Sequence, residues 1–167
     1  MTENPGTAPA SAEDEVAALC SDLIRIDTTN RGDHSGPGER KAAEHVAALL
    51  AEAGLEAKIY ESHPGRASVV ARVEGTDSSR PALLIHGHLD VVPADPADWA
   101  VHPFSGELSG GEIWGRGAVD MAGAWWGAVS ASPYRGGFAI VMRPTRKLPC
   151  SGLRPGGGIG RRASLRC

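Results

Sequence analysis

A short apolar run that ends in two histidines and an aspartate constrains this chain more than any other feature. Residues 82–85 read Ala-Leu-Leu-Ile, which in length and composition is typical of a buried strand. Residues 86–90 then read His-Gly-His-Leu-Asp. Because side chains alternate along a strand, we expect His86, His88 and Asp90 on one side of it. Imidazole is the commonest metal ligand and is usually oriented by a carboxylate, so this stretch predicts a metal site at a strand end.

A second candidate ligand, Asp120, lies in a glycine-flanked run. Residues 115–121 read Gly-Arg-Gly-Ala-Val-Asp-Met, and glycines let the backbone pass close to a metal ion. A carboxylate has two oxygens, which can bridge two ions about 3.5–4 Å apart. Taken alone, Asp120 fits a helix N-cap or a turn residue equally well. With His88 upstream, the metal interpretation is favoured.

The remaining pattern up to Asp120 predicts an α/β domain with a mixed sheet and flanking helices. Apolar residues at helical spacing indicate two helices, and Gly54 is placed to end the second. Alternating residues indicate strands, with a Pro64-Gly65 turn joining two of them into a hairpin. The first predicted helix begins at residue 13, and the second spans 39–53. The predicted strands span 55–60, 67–73 and 82–85, and a short hairpin spans 107–114.

Charge divides the chain into two unlike segments. The 167 residues include 20 acidic and 17 basic ones, for a formal net charge of −3. Every acidic residue and every histidine lies at or before Asp120, and the only charged residues in 121–167 are basic. Those basic residues are Arg135, Arg143, Arg146, Lys147, Arg154, Arg161, Arg162 and Arg166. Such a break separates an ordinary domain from a tail of different character.

Three further features bear on the compartment. No apolar run approaches the roughly 20 residues of a membrane span. The first ten residues lack the basic start and apolar core of a signal peptide. The cysteines at positions 20, 150 and 167 form neither an even disulfide set nor a close-spaced zinc pair. These features predict a cytoplasmic protein with reduced thiols and no membrane partner.

Four segments of the chain, in this order, resemble one family of enzymes. They are Ile-Asp-Thr-Thr at 26–29, the strand-end stretch at 86–93, Trp99 with Pro103-Phe104, and the glycine-flanked run at 115–121. They are similar to the dizinc amidohydrolases and peptidases that include acetylornithine deacetylase, succinyl-diaminopimelate desuccinylase, aminoacylase and the glutamate carboxypeptidases. The resemblance covers residues 13–123 and implies a partial zinc-peptidase-like catalytic domain. It also implies a zinc-dependent hydrolase of amide bonds, acting on a small peptide or an N-acyl amino acid.

The resemblance implies a role for each of three residues. His88 looks like a ligand of one zinc ion, and Asp120 looks like the carboxylate that bridges two. Asp90 looks like the catalytic-site carboxylate that orients the His88 ring. The cofactor implied is a pair of Zn²⁺ ions, for which Co²⁺ is a substitute. His86 falls at a position that is not a ligand in the family.

The resemblance ends at Gly123. The family has a Glu-Glu pair after the bridging aspartate, a further acidic ligand, a late histidine ligand and an inserted lid or dimerisation domain. Residues 121–167 contain no Asp, Glu or His to supply these ligands. The two tryptophan codons at 125 and 126, read one base earlier, give Met, Leu or Val followed by Val, an apolar pair that suits the family's next helix. The tail is also rich in Gly and Arg, as GC-rich DNA read out of frame would be.

We therefore divide the chain into three parts. Residues 1–12 are predicted to be disordered, and residues 13–123 form the N-terminal part of a metallohydrolase catalytic domain. Residues 124–167 are predicted to be an unstructured, irregular basic tail read out of frame. We expect this truncated chain to be inactive, and a homodimer to require the missing domain.

Other classes of protein were weighed on the same residues. A metallo-β-lactamase-type hydrolase would need His directly after the aspartate, where the chain has Val91. A dinucleotide-binding loop starting at Gly115 would need a third glycine where Asp120 stands. The basic tail could contact nucleic-acid phosphates, but it lacks the regular aromatic residues of a single-strand binder. A non-catalytic fragment and, less favoured, a nucleic-acid-binding protein stay open as alternatives.

Overall fold

The computed structural model describes residues 12–122, 138–143 and 164–166. The helices are α1 (Ala12–Ile24) and α2 (Arg40–Glu52), and a short 3-10 turn spans Pro96–Asp98. The strands are β1 (Ala57–His63), β2 (Arg66–Val73), β3 (Leu83–His88), β4 (Glu107–Ser109), β5 (Glu112–Trp114), β6 (Phe138–Arg143) and β7 (Ser164–Arg166). None of the helices in these ranges is long and apolar enough to cross a membrane.

The strands form one mixed sheet and one smaller antiparallel sheet. The four-stranded sheet has the order β1-β2-β6-β3, in which β3 and β6 are parallel and the other pairs are antiparallel. The three-stranded sheet has the order β4-β5-β7. Apolar residues of both helices and both sheets form a single buried cluster. Its members are Cys20, Leu23, Ile24, Ala42, Ala43, Val46, Leu50, Ala67, Val69, Ala71, Leu89, Ile113, Ala118 and Met142. The predicted α/β class with a mixed sheet and flanking helices is confirmed.

The elements predicted from local signals lie where the sequence placed them. The second predicted helix is α2, and Gly54 follows its end with a φ of 78°. The predicted hairpin at Pro64-Gly65 is the β1–β2 pair, with an irregularity in register between Glu61 and His63. The hairpin around Gly110-Gly111 is the β4–β5 pair. Each of these signals is a turn or a stop that acts within a few residues, so tertiary contacts do not override it.

The tail departs most from the prediction. Strand β6 lies at the centre of the four-stranded sheet, where it pairs with β2 on one side and β3 on the other, and Met142 is buried in the core. Strand β7 pairs with β5. The expectation of an unstructured tail is therefore wrong for residues 138–143 and 164–166. The rest of the tail and the predicted disordered residues 1–11 lie outside the described residues.

The position of β3 in the sheet also differs from the prediction. The strand runs through His88 rather than ending at Ile85, and it is not buried. Leu83 is 40% exposed and Leu84 is 62% exposed. Because β3 is last in the order β1-β2-β6-β3, one of its edges has no neighbouring strand within the described part of the chain. An apolar run of this length cannot by itself distinguish a central strand from an edge strand.

Two glycines fix the start of α2 to the turn of the β1–β2 hairpin. The backbone N–H of Glu39 donates to the carbonyl of Gly65 at 2.8 Å. Gly38 has a φ of 76°, and a Cβ built on it would lie 2.4 Å from the Gly65 carbonyl oxygen. The backbones therefore approach this closely only because residue 38 is glycine.

Replacing Gly38 tests this junction. We expect Gly38→Ala to lower the free energy of unfolding by about 2–5 kcal/mol, combining about 1–2 kcal/mol for the left-handed backbone with about 1–3 kcal/mol for overpacking. Gly54→Ala is the matched control, because Gly54 has a φ of 78° but nothing within 4 Å of its added Cβ. Urea unfolding of both variants gives the comparison. Equal losses would show that the Gly38–Gly65 contact is not needed.

Candidate metal centre

The first part of the centre forms where β3 ends beside the turn that follows α1. Thr28 Oγ1 donates to the Leu89 carbonyl at 2.7 Å, and the Asn30 N–H donates to the Val91 carbonyl at 2.8 Å. The Val91 N–H donates to the Thr28 carbonyl at 3.2 Å, which completes a short parallel bridge. Leu89 is buried in the core. The chain on both sides of Asp90 is therefore held firmly, and His88 and Asp90 have a fixed backbone.

The second part comes from the glycine-flanked loop. Residues Ala118–Ala122 form one irregular helical turn, in which Asp120 has extended backbone angles (φ −120°, ψ 94°). Ala118 is buried, and a Cβ on Gly117 would lie 2.9 Å from Val91 Cγ1. Glycine at 117 thus lets this loop pack directly against the residue that follows Asp90. That packing brings the Asp120 carboxylate to His88.

The three residues predicted from the sequence lie together, with Asp90 and Asp120 on opposite sides of the His88 imidazole ring. His88 Nε2 lies 3.3 Å from Asp120 Oδ1. On the other side of the ring, Nδ1 lies 2.9 Å from the Asp90 carbonyl oxygen and 3.4 Å from Asp90 Oδ1. Asp90 is buried, whereas the Asp120 side chain is 84% exposed. Asp90 therefore contacts the ring at Nδ1 from the protein interior, and Nε2 faces Asp120 and solvent.

His86 does not belong to this cluster. It precedes His88 by two residues on β3 and is exposed. His86 and His88 alternate onto one side of β3, as expected, whereas Asp90 lies beyond the end of the strand and is buried, so strand alternation does not decide its direction. Whether His88 and Asp120 bind a metal ion, and whether Asp90 supports them in catalysis, stays a prediction.

Electrostatics favour a charged imidazole at this position. The hydrogen bond to the Asp90 side chain raises the pKa of His88 to about 9, burial opposes this, and the charges of Asp90 and Asp120 add to the increase. At neutral pH both ring nitrogens therefore carry protons. A metal ion that binds at Nε2 must displace one of them, which couples metal binding to proton release.

The pair His88 and Asp120 has the spacing of two ligands on one ion. A tetrahedral zinc ion with bonds of about 2.0–2.1 Å holds neighbouring ligand atoms about 3.3–3.4 Å apart. The observed separation of Nε2 and Oδ1 is 3.3 Å. Catalytic zinc sites take three protein ligands, however, and residues 12–122 and the two described tail strands contain no group of three or more His, Cys, Asp or Glu arranged for a metal. The residues present fit part of a zinc site.

Three residues around Asp90 were not predicted from the sequence. Asn30 Nδ2 donates to Asp90 Oδ2 at 2.7 Å, and Arg66 Nη2 lies 3.8 Å from the same oxygen. Arg66 Nε in turn donates to Glu39 Oε2 at 2.9 Å. In the sequence, Asn30 is part of the run Asp-Thr-Thr-Asn at 27–30, which indicates a turn but not a contact with Asp90. Glu39 and Arg66 look like ordinary surface charges in the sequence.

One small cavity has His88 in its lining. The cavity behind the ring has a volume of about 30 Å³, which is space for water rather than for a substrate. Its lining includes Leu89, Arg116, Met121 and Met142. A larger depression of about 370 Å³ lies at the β4–β5 hairpin, lined partly by Glu107, Glu112 and Trp114, and none of the three converging residues borders it.

Known proteins resemble this chain in both sequence and fold. Residues 84–133 match the sequence model of peptidase family M20/M25/M40. A succinyl-diaminopimelate desuccinylase from Methylobacterium sp. (strain 4-46) is 41% identical over 109 residues, which are 64% of this chain and 26% of that protein. A probable succinyl-diaminopimelate desuccinylase from Staphylococcus epidermidis (strain ATCC 12228 / FDA PCI 1200) is 35% identical over 121 residues, or 72% of this chain and 28% of that protein.

Two solved structures share the fold. Human carnosine dipeptidase 1 superposes with a TM-score of 0.61 at 23% identity. The superposition covers 78% of this chain and 32% of the dipeptidase. The M20 family metallo-carboxypeptidase Sso-CP2 from Sulfolobus solfataricus has a TM-score of 0.63 at 20% identity, with 78% and 30% covered. At these identities the comparison establishes the fold alone.

The mixed sheet with its flanking helices is a fold that this chain shares with a solved dipeptidase and a solved metallo-carboxypeptidase. The match of residues 84–133 and the identity to the desuccinylase relatives confirm the predicted resemblance to the M20 metallohydrolase family for the N-terminal part of the chain. The chain spans between about a quarter and a third of the length of the relatives it matches.

Proposed function

We propose that this chain is part of a zinc-dependent hydrolase of amide bonds, and that the 167 residues alone bind metal weakly without turning over a substrate. The observation that carries the proposal is the pair of donor atoms, His88 Nε2 and Asp120 Oδ1, 3.3 Å apart. Asp90 supports the pair by holding the opposite nitrogen of the same ring.

The relatives support the choice of substrate class. Those with higher identity are succinyl-diaminopimelate desuccinylases, and the structural neighbours are a dipeptidase and a carboxypeptidase. These substrates share an amide bond next to an amino acid. We therefore propose an N-acyl amino acid deacylase or a peptidase of small substrates. The proposal includes a cytoplasmic location and, for a longer form with the family's lid domain, a homodimer.

The residues present would share the work of holding zinc, or Co²⁺ in its place. The protein of this fold from Bacillus subtilis is described as a dinuclear metal-binding peptidase, which supports a pair of ions. When bound, such a pair polarises the carbonyl and lowers the pKa of a shared water. Asp90 keeps the Nδ1 proton of His88 and so directs Nε2 to the ion. Asp120, whose side chain is exposed and has two carboxylate oxygens, would be the second residue to hold the metal.

The described residues provide no general base for that water. Asp90 is buried and already accepts hydrogen bonds, and Asp120 is assigned to the metal. The residue that takes the proton in the family, a glutamate after the bridging aspartate, has no counterpart in the acid-free segment 121–167. The proposed result is a metal-binding domain without turnover.

Calorimetric titration of the full chain with Zn²⁺ and with Co²⁺ tests this proposal. We expect weak binding that releases protons, and at least about tenfold lower affinity in His88→Ala and in Asp120→Ala, since each removes a donor atom. His86→Ala is the matched control, because this exposed histidine lies on the same strand and outside the cluster. Binding that His86→Ala weakens and His88→Ala does not would contradict the proposal.

A further inference from the structure

A chain of alternating charges lies behind the candidate metal centre. It runs from Glu39 at the start of α2 through Arg66 on β2 to Asp90, and it ends at His88. We propose that Arg66 and Glu39 are positioning residues for this centre: Arg66 fixes the Asp90 carboxylate in the orientation that holds His88, and Glu39 fixes Arg66. The inference rests on the proposed function in that His88 is taken as a metal ligand.

The three charged groups are buried together. The side chains of Glu39 and Asp90 are almost fully buried, and that of Arg66 is 11% exposed. One guanidinium contacts both carboxylates, with Nε donating to Glu39 at 2.9 Å and Nη2 lying 3.8 Å from Asp90 Oδ2. The second distance is that of an ion pair rather than a direct hydrogen bond. Arg66 thus places a positive charge beside Asp90, and Asn30 donates a hydrogen bond to the same oxygen.

Burial and the charges of Asp90 and Arg66 act on the pKa of Glu39. Burial raises the pKa of Glu39, the negative charge of Asp90 acts in the same direction, and the positive charge of Arg66 opposes both. Two buried carboxylates so arranged repel each other unless a cation lies between them. Arg66 is that cation, and its planar fork can serve two acceptors at once, which a lysine ammonium on a flexible stem does less well.

The backbone is shaped to produce this contact. Glu39 and Arg66 each directly follow a glycine with positive φ, Gly38 and Gly65, and the two glycines touch through their backbones. The contact places the start of α2 and the first residue of β2 side by side. Residues far apart in the chain are thereby tied to Asp90, which lies past the end of β3. An ion pair that served only to join α2 to the hairpin would not need its cation to reach Asp90.

The test compares Arg66→Met with Arg72→Met in the full chain. Arg72 is the matched control because it lies on the same strand, forms an ion pair with Glu74 and is 72% exposed. Two properties are measured beside urea unfolding: the affinity for Co²⁺ by calorimetry, and the nitrogen-15 NMR signal of the His88 Nδ1–H, which lies 2.9 Å from the Asp90 carbonyl oxygen and 3.4 Å from Asp90 Oδ1. Because Arg66→Met disturbs the carboxylate contact and leaves the carbonyl contact in place, we expect it to shift this signal and speed its exchange with water, and to bind Co²⁺ about 10–100-fold more weakly. Arg72→Met should change neither property.

Two further variants separate positioning from folding. Arg66→Lys keeps the charge, so it should retain much of the stability while its Nδ1–H signal exchanges faster than in the parent chain. If Arg66→Met does not fold, the double variant Glu39→Gln with Arg66→Met decides, since it removes the buried pair together rather than leaving Glu39 unpaired. We expect this double variant to shift the Nδ1–H signal and speed its exchange in the same way as Arg66→Met.

The outcomes distinguish this inference from the proposed function. If a folded Arg66→Met or the double variant keeps the parent's His88 signal, the inference is overturned, whatever the metal affinity. If the parent chain binds no Co²⁺ at all, the proposed function fails, and the NMR comparison still decides whether Arg66 positions Asp90 and His88.

Discussion

A chain shortened to end at Gly123 is expected to lose cooperative folding, because it lacks β6. This strand pairs with β2 over residues 69–73 and with β3 over its full length, and it is the strand that joins β3 to the β1–β2 hairpin. Its removal leaves backbone groups of two strands without partners. Each ladder hydrogen bond contributes about 0.5–1.5 kcal/mol net, and Met142 also leaves the core, so the combined loss is comparable to the net stability of about 5–15 kcal/mol of an ordinary domain.

A second truncation provides the control for this prediction. A chain that ends at Arg143 keeps β6 and loses only the part of the tail that contains β7. We expect it to unfold cooperatively in urea, with protected amides in residues 138–142 by hydrogen exchange, while the chain ending at Gly123 shows no cooperative transition. If both truncations unfold with the midpoint of the full chain, β6 is not part of the folded core and the predicted unstructured tail would be right after all.

The strand β6 shows which kind of sequence signal can be overlooked. Residues 138–142 read Phe-Ala-Ile-Val-Met, a run that on its own predicts a strand. The surrounding segment is rich in Gly, Pro and Arg, and its average composition hides so short a run. The order of strands cannot be read locally at all, since it depends on which edges meet in the folded sheet. For that reason the edge position of β3, with Leu84 exposed, was not predictable.

The candidate site was predictable where chemistry and local geometry coincide in the sequence. His88 and Asp120 each stand where a strand or a glycine loop presents a side chain, and this placement together with the family resemblance indicated that they meet. Glu39 and Arg66 were missed because isolated charges are usually solvated, and nothing in their spacing reveals a buried pair. Their contact follows from two positive-φ glycines that touch in three dimensions, Gly38 and Gly65.

The purified 167-residue chain is expected to show no metal-dependent hydrolysis of an N-succinyl amino acid or a dipeptide. Loss of a general base alone typically lowers the rate about 10²–10⁴-fold, and two donors hold two ions poorly. A chimera that joins residues 1–121 to the C-terminal part of the Methylobacterium relative should regain the activity. In that chimera His88→Ala and Asp120→Ala should reduce the rate to background, and His86→Ala, which changes an exposed neighbour, should not.

The chimera distinguishes the activity proposed from the family resemblance from the activity of the 167-residue chain itself. Activity in the chimera with none in the parent chain would place the deficit in the missing base and ligands, because both proteins share His88, Asp90 and Asp120. Zinc-dependent turnover by the parent chain, abolished by Asp120→Ala, would contradict the proposal that the 167 residues alone do not turn over a substrate. A chimera that folds cooperatively and binds Co²⁺ but cleaves no amide would count against the proposed substrate class, since its metal centre would then be intact.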